Sequence, residues 1–297
     1  MKKFLLAGLF LLPSLAIGAE PINLSFNPEK GTKYDYRMEM TQDINQSAAG
    51  MNIPIKSEMM AAFRWEVKDK TAQETQLQVT YRELAQTITS SLVNMKYDSR
   101  KPNENSTGTE GMIGKMLGGM IGKSLTMTIT ADGSVKSITG MEAIIDGMAQ
   151  AADGAPPEMA AEMRKQFGDV AMKGMFEQSL KFYPSSPIRS GDSWNVEIAI
   201  PMGNMNTGIK SRYTLKNVKK NMATIAFVSD LTVDVAELGT GARLTGTQTG
   251  TVVVDVRTGM PLTGDMLQNV KGSFEVQGVN VQMGMVSKLK MSTKEAK

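Results

Sequence analysis

Residues 124–138 read SLTMTITADGSVKSI, and this stretch decides the fold class. Leu125, Met127 and Ile129 alternate with Ser124, Thr126, Thr128 and Thr130, the period of two expected for a strand with one buried face. Asp132-Gly133 follows. A tight hairpin turn needs positive φ, which glycine adopts without steric cost, so Val135 and Ile138 belong to a return strand.

Outward from this hairpin the same period recurs. Tyr34, Tyr36, Met38 and Met40 alternate with Asp35, Arg37 and Glu39; Phe63, Trp65 and Val67 with Arg64, Glu66 and Lys68; Leu77, Val79 and Tyr81 with Gln78, Thr80 and Arg82. Trp194, Val196, Ile198 and Ile200 share one face. Further strands are expected near 207–218, 222–236, 242–257, 264–276 and 279–291, broken at Lys220-Asn221, Gly239 to Gly241, Thr258-Gly259 and Gln277-Gly278. Half-polar faces and short turns favour antiparallel pairing. The expected fold is mainly β (α+β): a long antiparallel meander forming a barrel or half-barrel, with a helical insertion.

Four segments follow from this reading: 1–19 a signal peptide, 20–140 an N-terminal β-meander, 141–182 the helical insertion, and 183–297 a C-terminal β-meander. The insertion is expected to hold a helix over 141–151, a second after Pro156-Pro157 through Met159, Met163 and Phe167, and a helical turn over Val170 to Leu180. The stretch from Tyr97 to Gly111 is polar and reads as a loop. Two strand entries echo each other: Pro28 to Gly31 then Tyr34, and Pro187 to Gly191 then Trp194. Two related half-barrels or ordinary turn chemistry would each produce this echo, and turn chemistry is the favoured reading.

The first residues have the layout of an export signal. Lys2 and Lys3 precede an apolar run from Phe4 to Ile17, and Gly18-Ala19 precede Glu20. The run is shorter than the roughly 20 residues that a spanning helix needs, so cleavage after Ala19, a periplasmic location and no transmembrane anchor are expected. Removing Lys2 and Lys3 takes the formal charge from +3 to +1. The remaining charges are interspersed and aromatic content is 6%, which argues against a nucleic-acid partner.

The composition also narrows the chemistry. The chain has no histidine and no cysteine. That removes Ser-His-Asp and Cys-His hydrolysis, disulfides, thiolate metal sites and most zinc sites. Gly191-Asp192-Ser193 resembles the opening of Gly-Asp-Ser-Leu esterases, which need a later histidine; it reads as a turn. Ser287 and Lys290 have Ser-x-x-Lys spacing, but on a strand such positions face opposite sides. Among the strand carboxylates, Glu83 alone shares phase with Leu77, Val79 and Tyr81, at a strand end or facing a cavity. No cofactor is expected, and no enzymatic activity.

Methionine is the compositional anomaly, with 25 residues. It fills irregular apolar space and adapts to different partners, and its thioether also selects Cu(I). Met38/Met40, Met202/Met205 and Met283/Met285 are spaced for copper, although the first and last pairs fall on the buried strand phase. The segment Gly111 to Gly122, GMIGKMLGGMIG, repeats Gly114, Gly118 and Gly122 at spacing four beside Met112, Met116 and Met120. On a helix this gives a glycine ridge beside an apolar stripe. Met112, Ile113, Met116, Leu117 and Met120 are therefore the candidate ligand-binding residues, as a gate over a cavity or as a plug.

The hairpin Gly122 to Gly140, the Pro187 to Trp194 entry and the late Asp255-Val256-Arg257-Thr258-Gly259 turn resemble an uncharacterised family of exported bacterial proteins. That resemblance implies export and a β-rich fold, and no activity. The expected sheet with covering helices also looks like the architecture of periplasmic lipoprotein carriers, by analogy of shape only. The expected function is a non-enzymatic binder or carrier of an apolar ligand such as a lipid or acyl chain. An envelope scaffold or chaperone-like factor docking an envelope protein is the first alternative, and Met-rich Cu(I) binding the second.

Overall fold

The computed structural model describes residues 20–48, 50–152, 161, 163–164, 168–202, 205–235, 243–276 and 279–296. The expected signal peptide lies outside these residues, as does most of the helix expected after Pro156-Pro157.

Twelve strands form one antiparallel sheet: β1 Lys33–Ala48, β2 Met51–Lys70, β3 Glu74–Ser90, β4 Asn94–Asp98, β5 Ser124–Thr130, β6 Val135–Thr139, β7 Ser193–Met202, β8 Met205–Lys219, β9 Met222–Val235, β10 Arg243–Asp255, β11 Pro261–Val276 and β12 Val279–Glu295. The spatial order is β6-β5-β3-β2-β1-β12-β11-β10-β9-β8-β7, with β4 beside the second half of β3. The first and last strands thus meet in the middle, Tyr34 opposite Glu295, and each half meanders outward from that seam. The mainly β meander is as the alternation requires. β6 and β7 are the two ends of this order.

Among the described residues three α-helices are complete, lying between the meanders or within them: α1 Gly108–Gly118, α2 Met141–Ala151 and α3 Asp169–Leu180. α3 packs on both edge strands, β6 and β7. Glu177 Oε1 accepts the Val135 amide at 3.1 Å, and Gly174 lies so close to Ile200 that a Cβ there would stand 2.6 Å from Ile200 Cγ2. A helix therefore spans the gap that the sheet leaves open.

The turns explain why the strands stop where they do. Lys220 and Asn221 both have positive φ, 50° and 62°, as a two-residue primed hairpin turn demands. Gly133 has φ 81°, and Asp132 Oδ1 accepts the Ser134 amide. The echoed entries use one device: Gly31 and Gly191 both have positive φ and donate their amides across to Val67 and Leu215 carbonyls.

One large core joins both halves, with Trp65, Val79 and Leu125 from the first and Leu215, Ile225 and Val254 from the second. It sits at the end of the sheet where Leu24 and Phe26 of the leading segment enter. Tyr36 stacks on Trp65 at 4.6 Å, Phe63 meets Tyr81 edge-on, and Phe182, Tyr183, Tyr213, Phe227 and Trp194 continue the aromatic layer. Tyr183 donates its hydroxyl to the Gly259 carbonyl at 2.6 Å, and Trp194 its indole N–H to the Phe182 carbonyl at 2.8 Å. This end of the curled sheet is filled by the protein's own side chains.

Candidate functional site

Along the inner face the apolar phase is interrupted at one shared rank in seven adjacent strands, and at Gln46, Thr207 and Thr293 elsewhere. Gln42 of β1 is in register with Ser57 of β2 and Ser287 of β12. Gln268 of β11 is opposite Ser287, Gln248 of β10 opposite Gln268, Ser229 of β9 opposite Gln248, and Ser211 of β8 opposite Ser229. Seven adjacent strands contribute one uncharged hydrogen-bonding side chain each. With strands about 4.8 Å apart, the row crosses the sheet for about 29 Å at right angles to the chain. Most of it is deeply buried: Ser287 is 1% exposed, Ser229 2% and Gln248 3%.

Parts of the row satisfy themselves. The Ser211 and Ser229 hydroxyls hydrogen-bond at 2.8 Å. Gln42 Nε2 donates to Ser287 Oγ at 3.2 Å and lies 3.6 Å from Met285 Sδ. Gln248 Nε2 has no partner, one of three such buried side-chain atoms among the described residues, with Trp65 Nε1 and Thr293 Oγ1. A buried donor left without an acceptor costs about 1–3 kcal/mol, so this amide, fifth of the seven along the row, is an unmet demand.

Beyond the row, away from the aromatic end, the next inner rank is wholly apolar or glycine: Ile55, Ile44, Met285, Val270, Gly246, Leu231, Ile209 and Ile198, each in register with the next. The two walls of this distal half differ. Ile198, Ile200, Ile209 and Leu231 form a buried cluster of their own, and Leu244 and Val270 are buried as well. Ile44, Ile53, Ile55, Met283, Met285 and Phe274 on the facing strands are only half-buried. No Asp, Glu, Lys or Arg points inward from the inner ranks of β1, β2 and β9 to β12 between Thr293 and the rim.

The electrostatics follow from that apolar interior. All six tyrosines are held above the ordinary phenol value of 10 by burial. Tyr34, Tyr36 and Tyr81 are pushed up to about 12, and Tyr97, Tyr183 and Tyr213 upward as well. Charged groups occupy the outer face. Two open depressions there, of about 360 Å³ and 580 Å³, are lined by outer side chains such as Glu39, Asp265 and Lys290, and Asn45, Thr245 and Lys271.

The glycine ridge serves close packing. α1 lies over Tyr97, so that a Cβ at Gly114 would stand 2.9 Å from the ring and one at Gly118 2.8 Å from its hydroxyl. Gly119 and Gly147 bring α1 against α2 backbone to backbone. Among the five residues proposed from sequence, Leu117 and Met120 pack on the main core, Met112 and Met116 are half-buried, and Ile113 is exposed.

Other candidates resolve by orientation. A bulge between Ala62 and Phe63 leaves Arg82 unpaired and sets Glu83 opposite Ala62, which turns Glu83 outward, 3.9 Å from both Arg37 and Arg100. It lines no inner cavity. Ser287 faces inward and Lys290 outward, as strand geometry requires. Asp192 accepts the Arg189 amide and Ser193 pairs with Thr214, both turn and strand chemistry. Met38 is in register with Met291 on the inner face. Among the described residues, no three His, Cys, Asp or Glu side chains gather for a metal ion, and no helix is long and apolar enough to cross a membrane.

Sequence reading missed the transverse row. Its signal is present in the chain: Gln42 follows Met38 and Met40 on the buried phase, and Ser287 falls between Met285 and Leu289. Each looks like a strand end when read alone.

The fold and this inner face define a class: a helix-bridged, curled antiparallel sheet with a polar row across an apolar interior. The chain belongs to the family of unknown function DUF6263, whose profile matches residues 72–261. No curated protein matches. Among solved structures, lipovitellin, described for its lipid–protein interactions, is similar at 12% identity and a TM-score of 0.44, covering 91% of this chain and 26% of its own. The chain thus spans about a quarter of that protein. OpdQ of Pseudomonas aeruginosa is similar at 7% identity and a TM-score of 0.21, over 89% of this chain and 99% of its own. An outer membrane channel from Pseudomonas putida F1 is similar at 8% identity and 0.22, over 90% and 96%. At such scores no function passes from one protein to another.

Proposed function

We propose that this chain is a non-enzymatic, periplasmic binder or carrier of an apolar ligand, a lipid or acyl chain, seated on the distal inner face. One observation carries the reading: the two walls there are unequally covered. Ile198, Ile200, Ile209 and Leu231 are sealed, whereas Ile44, Ile53, Ile55, Met283, Met285 and Phe274 retain exposed apolar surface on four adjacent strands. Covering such surface is worth about 25 cal/mol per Å², so an acyl chain would be held by burial, with no bond chemistry. The methionines supply adaptable walls for chains of different shape.

Native mass spectrometry of the protein purified from its own periplasm tests this reading. Bound lipid that survives purification, and is lost in Met285→Asp, is the expected result. A chain that carries no lipid and binds no fluorescent fatty acid or neutral apolar dye would end it.

A second reading has its own support. Met51 is 64% exposed and Leu92 74%, with Val93 and Val279 also exposed, all near the hairpin ends at the distal rim. An envelope protein docking on that rim would cover them. Capture of one defined envelope partner, lost in Leu92→Asp but retained in Met285→Asp, would favour docking over ligand carriage.

A further inference from the structure

Resting on the carrier reading, we propose that the transverse row seats the ligand's polar group and that this group is uncharged: an ester, amide or hydroxyl on an otherwise apolar molecule. The row is made of serine and glutamine alone. No cation points inward from the ranks around it on the strands that carry Gln42, Ser57, Gln248, Gln268 and Ser287. A carboxylate or phosphate brought to this depth would lose its water and gain no counter-charge, which costs far more than a neutral hydrogen bond returns. A neutral carbonyl or hydroxyl oxygen suffers little from the same burial once it has a donor.

The donor is present. Gln248 Nε2 is buried and unpartnered, on a residue only 3% exposed, while the hydroxyls of Ser211 and Ser229 beside it already satisfy each other. The row lies between two apolar ranks. Met40, Met59 and Leu289 lie on the aromatic side, and Ile44, Ile55 and Met285 on the rim side. Gln248 itself is flanked on β10 by Gly246 and Gly250, and the rank beyond leads across Gly272 to the half-buried Met283 and Phe274, so a ligand oxygen on Gln248 would direct its chain over the glycines toward the rim. A site built to hydrogen-bond one group discriminates strongly against a molecule that leaves it unpaired.

Full chain stripped of bound lipid is titrated with N-phenyl-1-naphthylamine, a neutral fluorophore, then competed with monoolein and, separately, with oleate at pH 8. Monoolein is expected to compete at concentrations at least about tenfold lower than oleate, because the buried carboxylate finds no counter-charge. Gln248→Leu should weaken monoolein binding by about tenfold, the factor one hydrogen bond supplies, while leaving fluorophore affinity within about twofold. Gln248→Met, a second change of similar volume that also removes the donor, should weaken monoolein binding likewise and guards against a misfolded first variant. Equal competition by oleate in the unaltered chain, or undiminished monoolein affinity in both folded variants, overturns the assignment of a neutral group to Gln248 and leaves the carrier reading standing. A chain that binds neither fluorophore nor either lipid overturns both.

Discussion

The ring of Tyr97 lies directly beneath Gly114, close enough that a Cβ on the glycine would stand 2.9 Å from Cδ2 and 3.3 Å from the tyrosine's own Cβ. Tyr97 is buried on the inner face of β4, in register with Gln86, so its Cβ and the root of its ring are held by the strand. At Gly118 the nearest atom is the Tyr97 hydroxyl, at the far end of the side chain.

This asymmetry separates two substitutions of equal helix propensity. Each Gly→Ala change in α1 gains about 1 kcal/mol locally. Gly114→Ala is expected to lose more than that to overpacking, for a net destabilisation of about 1–2 kcal/mol. Gly118→Ala should be near neutral. Urea unfolding of the two variants decides it; equal midpoints would mean that α1 is not seated on Tyr97.

The buried tyrosines predict an alkaline transition. Burial raises Tyr34, Tyr36 and Tyr81 to about 12, where the unfolded phenol titrates near 10. A raised folded-state value means the protonated phenol is the form the fold favours. The resulting stability is intact below pH 10 and is lost as pH rises from 10 to 12. Absorbance at 295 nm should show little tyrosinate at pH 10.5, then a cooperative rise coincident with loss of near-ultraviolet circular dichroism. A gradual rise centred on pH 10 with the fold intact would contradict the closed aromatic layer.

At low pH the group to watch is Asp98. The Arg100 guanidinium donates to both of its oxygens, at 2.8 and 2.7 Å, and holds the carboxyl at about 2. Here the folded value is depressed, so the contribution is present above the ordinary carboxylate value of 3.8 and disappears as pH falls toward 2. Asp98→Asn should lower the melting temperature at pH 6 and make little difference at pH 2. A penalty that stays constant with pH would assign the effect to packing or to the Asn105 side chain, which accepts the Asp98 amide at 2.7 Å.

The parts of the fold that were legible in the chain are those where the inner phase is purely apolar. Leu125-Met127-Ile129 and Leu77-Val79-Tyr81 announce their strands, and Lys220-Asn221 its turn. The pairing of β1 with β12 was hidden, because a contact between the two ends of a meander leaves no local trace. β4 offers only Met95 and Tyr97 within five residues, too short to establish a period, and the segment from Tyr97 onward reads as loop. α1 was obscured by its glycines, whose purpose appears only once Tyr97 is beneath them. Glu83 was misplaced by a single bulge, since one extra residue exchanges the faces of everything that follows. The transverse row was missed for a related reason: Gln42, Ser57 and Ser287 break the apolar alternation where the strands are in fact continuous. The residues proposed to meet a ligand are those that make the strands look shorter than they are.

Gln248 gives the sharpest test of whether that break serves function or stability. Its amide is buried among apolar ranks with Nε2 unmet, and an apolar residue of similar shape removes the penalty without opening a cavity. Gln248→Leu in lipid-free protein is therefore expected to raise stability by about 1–2 kcal/mol, read as a higher urea midpoint at unchanged m-value. The sign is the informative part. Most buried substitutions destabilise, so a gain marks an amide that the isolated chain does not use. A loss of similar size would show that Gln248 is already satisfied within the fold, and the row would then be an internal hydrogen-bond ladder with no call on a ligand.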